Sequence, residues 1–241
     1  MRVAILSDIH GNLTAFEAVL ADLRATAPDL VLHAGDLADG GARPVEIIDQ
    51  IRALGWTGVM GNGDEMLSRP EALEHFALQS AAPPALWDAV RQMAAATRAA
   101  LGPERLSWLG QLPLVLTQPD FAVVHASPHT CWKAPSDHAS DADLDILYSS
   151  LGRPIVLFGH THLPAIRPMQ GRVTLLINTG SVGLPYDGDL RASYVLLDEG
   201  TPSIRRVAWN VEREVQALAI SGLPNAAWVA RMIRSASPQM P

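Results

Sequence analysis

Five short stretches of the 241-residue chain gather Asp, His and Asn side chains fit for metal or acid–base chemistry. They are Ser7-Asp8-Ile9-His10-Gly11-Asn12, His33-Ala34-Gly35-Asp36, Gly61-Asn62-Gly63-Asp64-Glu65, Val124-His125-Ala126-Ser127-Pro128 and Gly159-His160-Thr161-His162. Asp8 and His10 are two apart, as are His160 and His162, and in extended backbone residues i and i+2 point to the same side, so each pair offers two ligands in one direction. Glycines at 11, 35, 61 and 159 permit the tight turns that crowding around ions requires. Carboxylate, imidazole and amide oxygen together suit borderline-to-hard divalent ions such as Mn, Fe, Zn or Ni, and the lack of thiolates disfavours Cu(I) and iron–sulfur sites. Two such ions about 3.5–4 Å apart can activate a water and clamp the oxygens of an in-line phosphoryl displacement. Taken singly, each part has a plainer reading: His125 as a satisfied structural histidine, Gly35-Asp36 as a turn, Asp8 as a helix N-cap. Five in succession read better as one metal site.

These residues must be positioned by strands. Apolar runs at Val3–Ser7, Leu30–Ala34, Thr57–Met60, Phe121–Val124, Ile155–Phe158 and Val173–Ile177 predict buried strands, and Ser193–Leu197 and Ile204–Trp209 predict two more. Helical patterns over Leu13–Thr26 and Pro44–Leu54 lie between the early strands, which implies βαβ units and a parallel sheet. All five reactive stretches then fall just past the carboxyl ends of strands, where ligands bind in open α/β sheets. Without repeats or a low-complexity linker, residues 1–241 read as one domain. It carries a helical insertion at about 66–111, rich in Ala, Leu, Glu and Arg, and a C-terminal helical segment at about 212–235.

Composition narrows the chemistry. A net charge of −7 argues against a protein that tracks nucleic acid by neutralising phosphates, so an anionic substrate needs a local positive site, which two divalent ions would supply. Lys133 is the only lysine, there is no Walker P-loop, and the single cysteine, Cys131, excludes an internal disulfide. Gly180-Ser181-Val182-Gly183 has too short a spacing for a serine nucleophile elbow. No signal-peptide core and no apolar run of about 18 residues is present, so a cytoplasmic protein without membrane contact is expected.

The series Asp8-x-His10, Gly35-Asp36, Gly61-Asn62, His125 and Gly159-His160-Thr161-His162 resembles the motifs of the calcineurin-like metallophosphoesterases, in particular the small bacterial and archaeal phosphodiesterases. Asn178-Thr179-Gly180-Ser181 is similar to that family's Asn-Pro-Gly-Ser element, with Thr179 where Pro is usual, and the resemblance runs to about residue 210. It implies an α/β fold, a four-layer α/β-β/α sandwich of two mixed sheets. It also implies one metal on Asp8, His10, Asp36 and His162, and a second on Asp36, Asn62, His125 and His160, with water or hydroxide between the ions attacking phosphorus. Manganese is the expected metal, with Fe, Zn or Ni as alternatives.

Gly63 stands where protein-phosphatase-like members carry a proton-donating His. Losing a general acid typically forfeits about 10²–10⁴-fold on poor leaving groups. Hydrolysis of phosphodiester bonds in small substrates, nucleotides among them, is therefore expected ahead of monoester hydrolysis. Asp64 and His129 are the catalytic candidates, with His75 as another donor, and Asn12 and Gly63 are the candidate substrate contacts. His33 reads as structural. A non-catalytic metal-binding scaffold is the reading from another class, and nothing in the sequence calls for a homo-oligomer.

Overall fold

Alternation along a single strand sets the layering. In β1 (Arg2–Leu6) Val3 and Ile5 face one way and Ala4 and Leu6 the other, all fully buried, so this strand is covered on both faces. In the computed structural model, which describes residues 1–136 and 138–241, β1 pairs in parallel with β2 (Leu30–His33), which pairs in parallel with β3 (Thr57–Gly58). Two antiparallel strands, β9 (Ala192–Asp198) and β10 (Thr201–Val207), complete a sheet of order β10-β9-β1-β2-β3. The second sheet has the order β4-β5-β6-β8-β7. In it β5 (Phe121–Val124), β6 (Ile155–Phe158) and β8 (Leu175–Asn178) are parallel, and β4 (Val115–Thr117) and β7 (Ala165–Pro168) are antiparallel edges.

Val3, Ile5 and Leu32 of the first sheet, with Val59 just past β3, pack against Phe121, Val123, Leu157 and Ile177 of the second. The opposite face of the first sheet, Ala4 and Leu6, is covered by α1 (Leu13–Thr26) through Phe16 and Val19 and by α2 (Pro44–Ala53) through Ile47, Ile48 and Ile51. Val124, Val156 and Leu176 on the far side of the second sheet meet Leu144 and Tyr148 of α6 (Asp141–Tyr148). Helix, sheet, sheet, helix is the four-layer α/β-β/α sandwich, with both sheets mixed.

Between β3 and β4 the chain forms α3 (Asn62–Ser68), α4 (Pro70–Gln79) and α5 (Pro84–Leu109), the last kinked at Gly102, whose φ is 69°, just before Pro103. The helical stretch thus opens at Asn62, four residues earlier than composition indicates. At the C-terminus α7 (Val211–Ile220) and α8 (Ala226–Ser235) lie against α5, burying Leu218, Trp228 and Ile233 with Met93. Among the described residues no helix is long and apolar enough to cross a membrane.

Three elements carry no readable sequence signal. The edge strands β4 and β7 are short and half-exposed, and β7 ends in Pro168, which only an edge tolerates. Helix α6 buries only Leu144 and Tyr148, too few apolar positions to show a period, and owes its start to Ser140 capping the Asp143 N–H at 3.2 Å.

Leu157 lies wholly between the sheets. Leu157→Ala is expected to cost about 2–5 kcal/mol in denaturant unfolding, and a loss below about 1 kcal/mol would mean that the interlayer core closes over the cavity.

Candidate metal centre

The chain takes an uncommon backbone path where its strands end. Asp8 (φ 55°), His10 (50°), Asp36 (54°), His160 (68°) and His162 (60°) are five of the nine non-glycine residues at positive φ among the described residues. Such conformations cost of order 1–3 kcal/mol each and persist only where the surroundings impose them. Here the loops are zipped together: Asp8 N–H donates to the Gly35 carbonyl at 3.0 Å, His10 N–H to Asp36 at 3.0 Å and Gly11 N–H to Leu37 at 2.9 Å. Within the second sheet Gly159 N–H donates to the His125 carbonyl, and Gly183 N–H donates to that of Asp8, both at 2.9 Å.

The result is two adjoining donor clusters. In one, His10 Nε2 and His162 Nε2 are 3.2 Å apart, Asp8 Oδ1 is 3.3 Å from His162 Nε2, and Asp36 Oδ2 is 3.8 Å from His10 Nε2. In the other, Asn62 Oδ1 is 3.0 Å from His125 Nε2 and 2.8 Å from His160 Nδ1, while Asp36 Oδ1 is 3.6 Å from His125 Nε2. Asp36 presents one oxygen to each cluster. All seven residues singled out as metal ligands are therefore brought together.

The rear nitrogens of three histidines are committed. His125 Nδ1 donates to the Ala34 carbonyl at 2.7 Å, His162 Nδ1 to that of Leu184, and His10 Nδ1 to that of Asp39 at 3.1 Å. Each ring therefore turns its Nε2 inward. With both rings neutral, as metal ligation requires, His10 and His162 aim lone pairs at each other, and Asp8 Oδ1 is buried with no hydrogen-bond partner. Facing acceptors are unfavourable unless a cation lies between them, so the donor set fits divalent metal binding in chemistry and in geometry.

Charge leads to the same conclusion. Asp8, Asp36, Asp39 and Asp64 are gathered around one centre. Burial, with Asp39, Asp8 and Asp64 nearby, pushes the Asp36 carboxyl well above the usual carboxylate range. Burial also disfavours the His10 cation, but Asp39, Asp36 and Asp8 outweigh it and lift His10 to about 10. His160 goes the other way: burial, helped by His125, lowers it to about 3, so it is the neutral ring that a metal requires.

Other candidates fare differently. Asn12 makes no open substrate contact: it is buried, caps α1 by accepting the Ala15 N–H at 3.0 Å, and donates to the Gly183 carbonyl at 2.8 Å. Asp64 is no exposed acid. Its carboxylate accepts the N–H groups of Asp36 (2.9 Å), Leu37 (3.0 Å) and Gly61 (2.9 Å), and so holds the Asp36 loop in place. Gly63 N–H donates to Asp36 Oδ1 at 2.7 Å, which commits it to a ligand. His129 and His75 are both exposed, and His75 is paired with Gln79 at 2.8 Å. His33 is fully buried.

Asp39 was not legible as a site residue. Its Oδ1 lies 3.2 Å from His10 Nδ1, and a Cβ at position 63 would meet that same oxygen at 2.1 Å. Asp39 thus occupies the space that a side chain at 63 would need. Its spacing of three residues from Asp36 is the only signal the sequence offered. Ser181 also went unread: its hydroxyl donates to the Asp8 carbonyl at 2.7 Å and accepts the Leu184 N–H at 2.8 Å, bracing two ligand loops.

The calcineurin-like phosphoesterase superfamily domain matches residues 1–201. An uncharacterized protein of Methanocaldococcus jannaschii is 30% identical, over 92% of this chain and 93% of that one. A metallophosphoesterase from Sphaerobacter thermophilus superposes with a TM-score of 0.79 at 27% identity, covering 98% of this chain and 99% of that one. A hypothetical protein from Pyrococcus horikoshii shares the fold, with a TM-score of 0.82 at 17% identity and 99% coverage of each chain.

Gly63→Ala is expected to push Asp39 off His10 and weaken Mn²⁺ binding by about 10–100-fold in titration calorimetry. Unchanged affinity would mean that Asp39 is not needed to orient His10.

Proposed function

The chain belongs to the calcineurin-like phosphoesterase superfamily, and on that footing we propose that it is a two-metal hydrolase of small phosphodiesters. One cation would be held by Asp8, His10, Asp36 and His162, the other by Asp36, Asn62, His125 and His160. The observation that carries this reading is the position of Asp36, with Oδ2 facing the first cluster and Oδ1 the second. Bound divalent ions would supply Lewis acidity and a water acidified towards neutrality. Manganese is the proposed metal, given a nitrogen–oxygen donor set without thiolate, with Fe, Zn or Ni as alternatives.

The chain's own residues set the preference for substrate. The neutral imidazoles of His125 and His160 and the fixed rings of His10 and His162 keep donor atoms aimed at the centre without reorganisation. Position 63 offers no proton donor, and the adjacent Asp39 is turned to His10. Leaving groups that need no protonation are favoured, which points to diesters and activated esters. The substrate is a small molecule rather than nucleic acid, since a −7 chain repels a polyanion away from the centre. A cytoplasmic location belongs to the same proposal.

The Mn²⁺-loaded protein is expected to hydrolyse bis-p-nitrophenyl phosphate in preference to p-nitrophenyl phosphate, to lose activity to a chelator and to regain it with Mn²⁺. Asn62→Ala should lower diester turnover by at least about 10–100-fold. Faster monoester turnover would make the chain a phosphomonoesterase. Tight metal binding with neither ester cleaved would make it a non-catalytic scaffold.

A further inference from the structure

One wall of the candidate centre continues into a trough. A cavity of about 560 Å³ is bordered by the proposed ligand His160 together with Thr161, Trp132 and Lys133. A neighbouring cavity of about 650 Å³ is bordered by Trp132 and Lys133 again, and by Arg69, His75, Phe76 and Gln79. The two share Trp132 and Lys133, so they adjoin between the proposed ligand His160 and α4.

Its aromatic wall is built to hold its shape. Trp132 and Phe76 have ring centroids 4.8 Å apart, tilted by 32°, and Phe76 in turn meets Trp87 edge-on at 5.7 Å. The Trp132 indole N–H donates to Glu65 Oε2 at 2.7 Å, and the Cys131 thiol donates to the same oxygen at 3.2 Å. Glu65 sits one turn after Asn62 on α3, and Trp132 lies on the loop that follows His125. The wall is thereby fixed to two of the proposed metal-ligand segments.

Charge along the trough is graded. At its far end the Arg69 guanidinium is 3.4 Å from Glu65 Oε1 and is largely compensated, and Glu71 borders the same end, so no net positive charge lies there. Lys133, the one lysine of the chain, is exposed and borders both cavities, including the one that His160 lines. A flat apolar surface flanked by hydrogen-bonding groups, with a cation on the cavity that reaches His160, suits a planar base joined to a phosphate.

We propose that this trough is a nucleoside subsite, with the base against Trp132 and Phe76 and the ammonium of Lys133 beside the phosphate. The inference rests on the phosphoesterase reading for its phosphate position and narrows the substrate class to nucleoside phosphodiesters.

Calorimetric titration of the Mn²⁺-loaded protein with AMP and with ribose 5-phosphate isolates the base, because the two share sugar and phosphate. AMP is expected to bind at least about tenfold more tightly. Trp132→Ala should remove that advantage by weakening AMP alone, Trp132→Phe should keep most of it, and Lys133→Ala should weaken both ligands alike. Equal affinities in the unmodified protein, no binding of either, or an equal loss of both in Trp132→Ala would overturn the subsite. The unmodified protein decides the question even if Trp132→Ala fails to fold. Base selectivity without diester turnover would keep the subsite and sink the phosphodiesterase reading, whereas turnover without selectivity would do the reverse.

Discussion

The interaction on which the rest depends is repulsion among buried carboxylates. Asp8, Asp36, Asp39 and Asp64 surround one small volume, and none is fully paired by a side-chain cation. Burial strongly disfavours such a set unless the charge is met. Asp64 is met by three backbone N–H groups and Asp39 lies beside His10, while Asp8 Oδ1 and Asp39 Oδ1 are left without a hydrogen-bond partner. Only added positive charge balances what remains, and this is the physical basis for a metal centre here.

Holding these groups together dictates much of the fold. Ligands come from both sheets, so the sheets must stack with their strand ends aligned, and the interlayer core around Val3, Ile5, Leu157 and Ile177 sets that alignment. Backbone approach is then extreme. A Cβ on Gly61 would lie 2.1 Å from Asp36 Oδ1, and one on Gly35 would lie 2.4 Å from the Gly61 nitrogen. These two glycines are required by the passage of one ligand loop over another. Five ligand residues at positive φ record the same constraint as local strain.

The metal-ligand series was legible because each member ends a strongly apolar strand, and strand ends are where α/β sheets gather side chains. The layering was legible from the family resemblance, and β1 displays it directly, with Val3 to Leu6 buried on both faces. What the sequence hid were the supports. Asp64 reads as an acid beside Asn62, yet its work is to collect N–H groups from residues 36, 37 and 61, and no local pattern reveals those partners. Asn12 follows a ligand pair and so resembles a substrate contact, but the helix start claims its oxygen and Gly183 its amide. Asp39 matters through its proximity to His10 and Gly63, which are 29 residues before it and 24 after it. Edge strands and α6 escaped notice because too few of their side chains are buried to leave a period.

The central claim is that Asp36 joins two cations in one centre. Electron paramagnetic resonance of the protein loaded with two equivalents of Mn²⁺ tests it most directly. The account predicts the spectrum of an exchange-coupled manganese pair, which Asp36→Ala abolishes. Two magnetically isolated ions, or a single ion bound per chain at saturation, would contradict it.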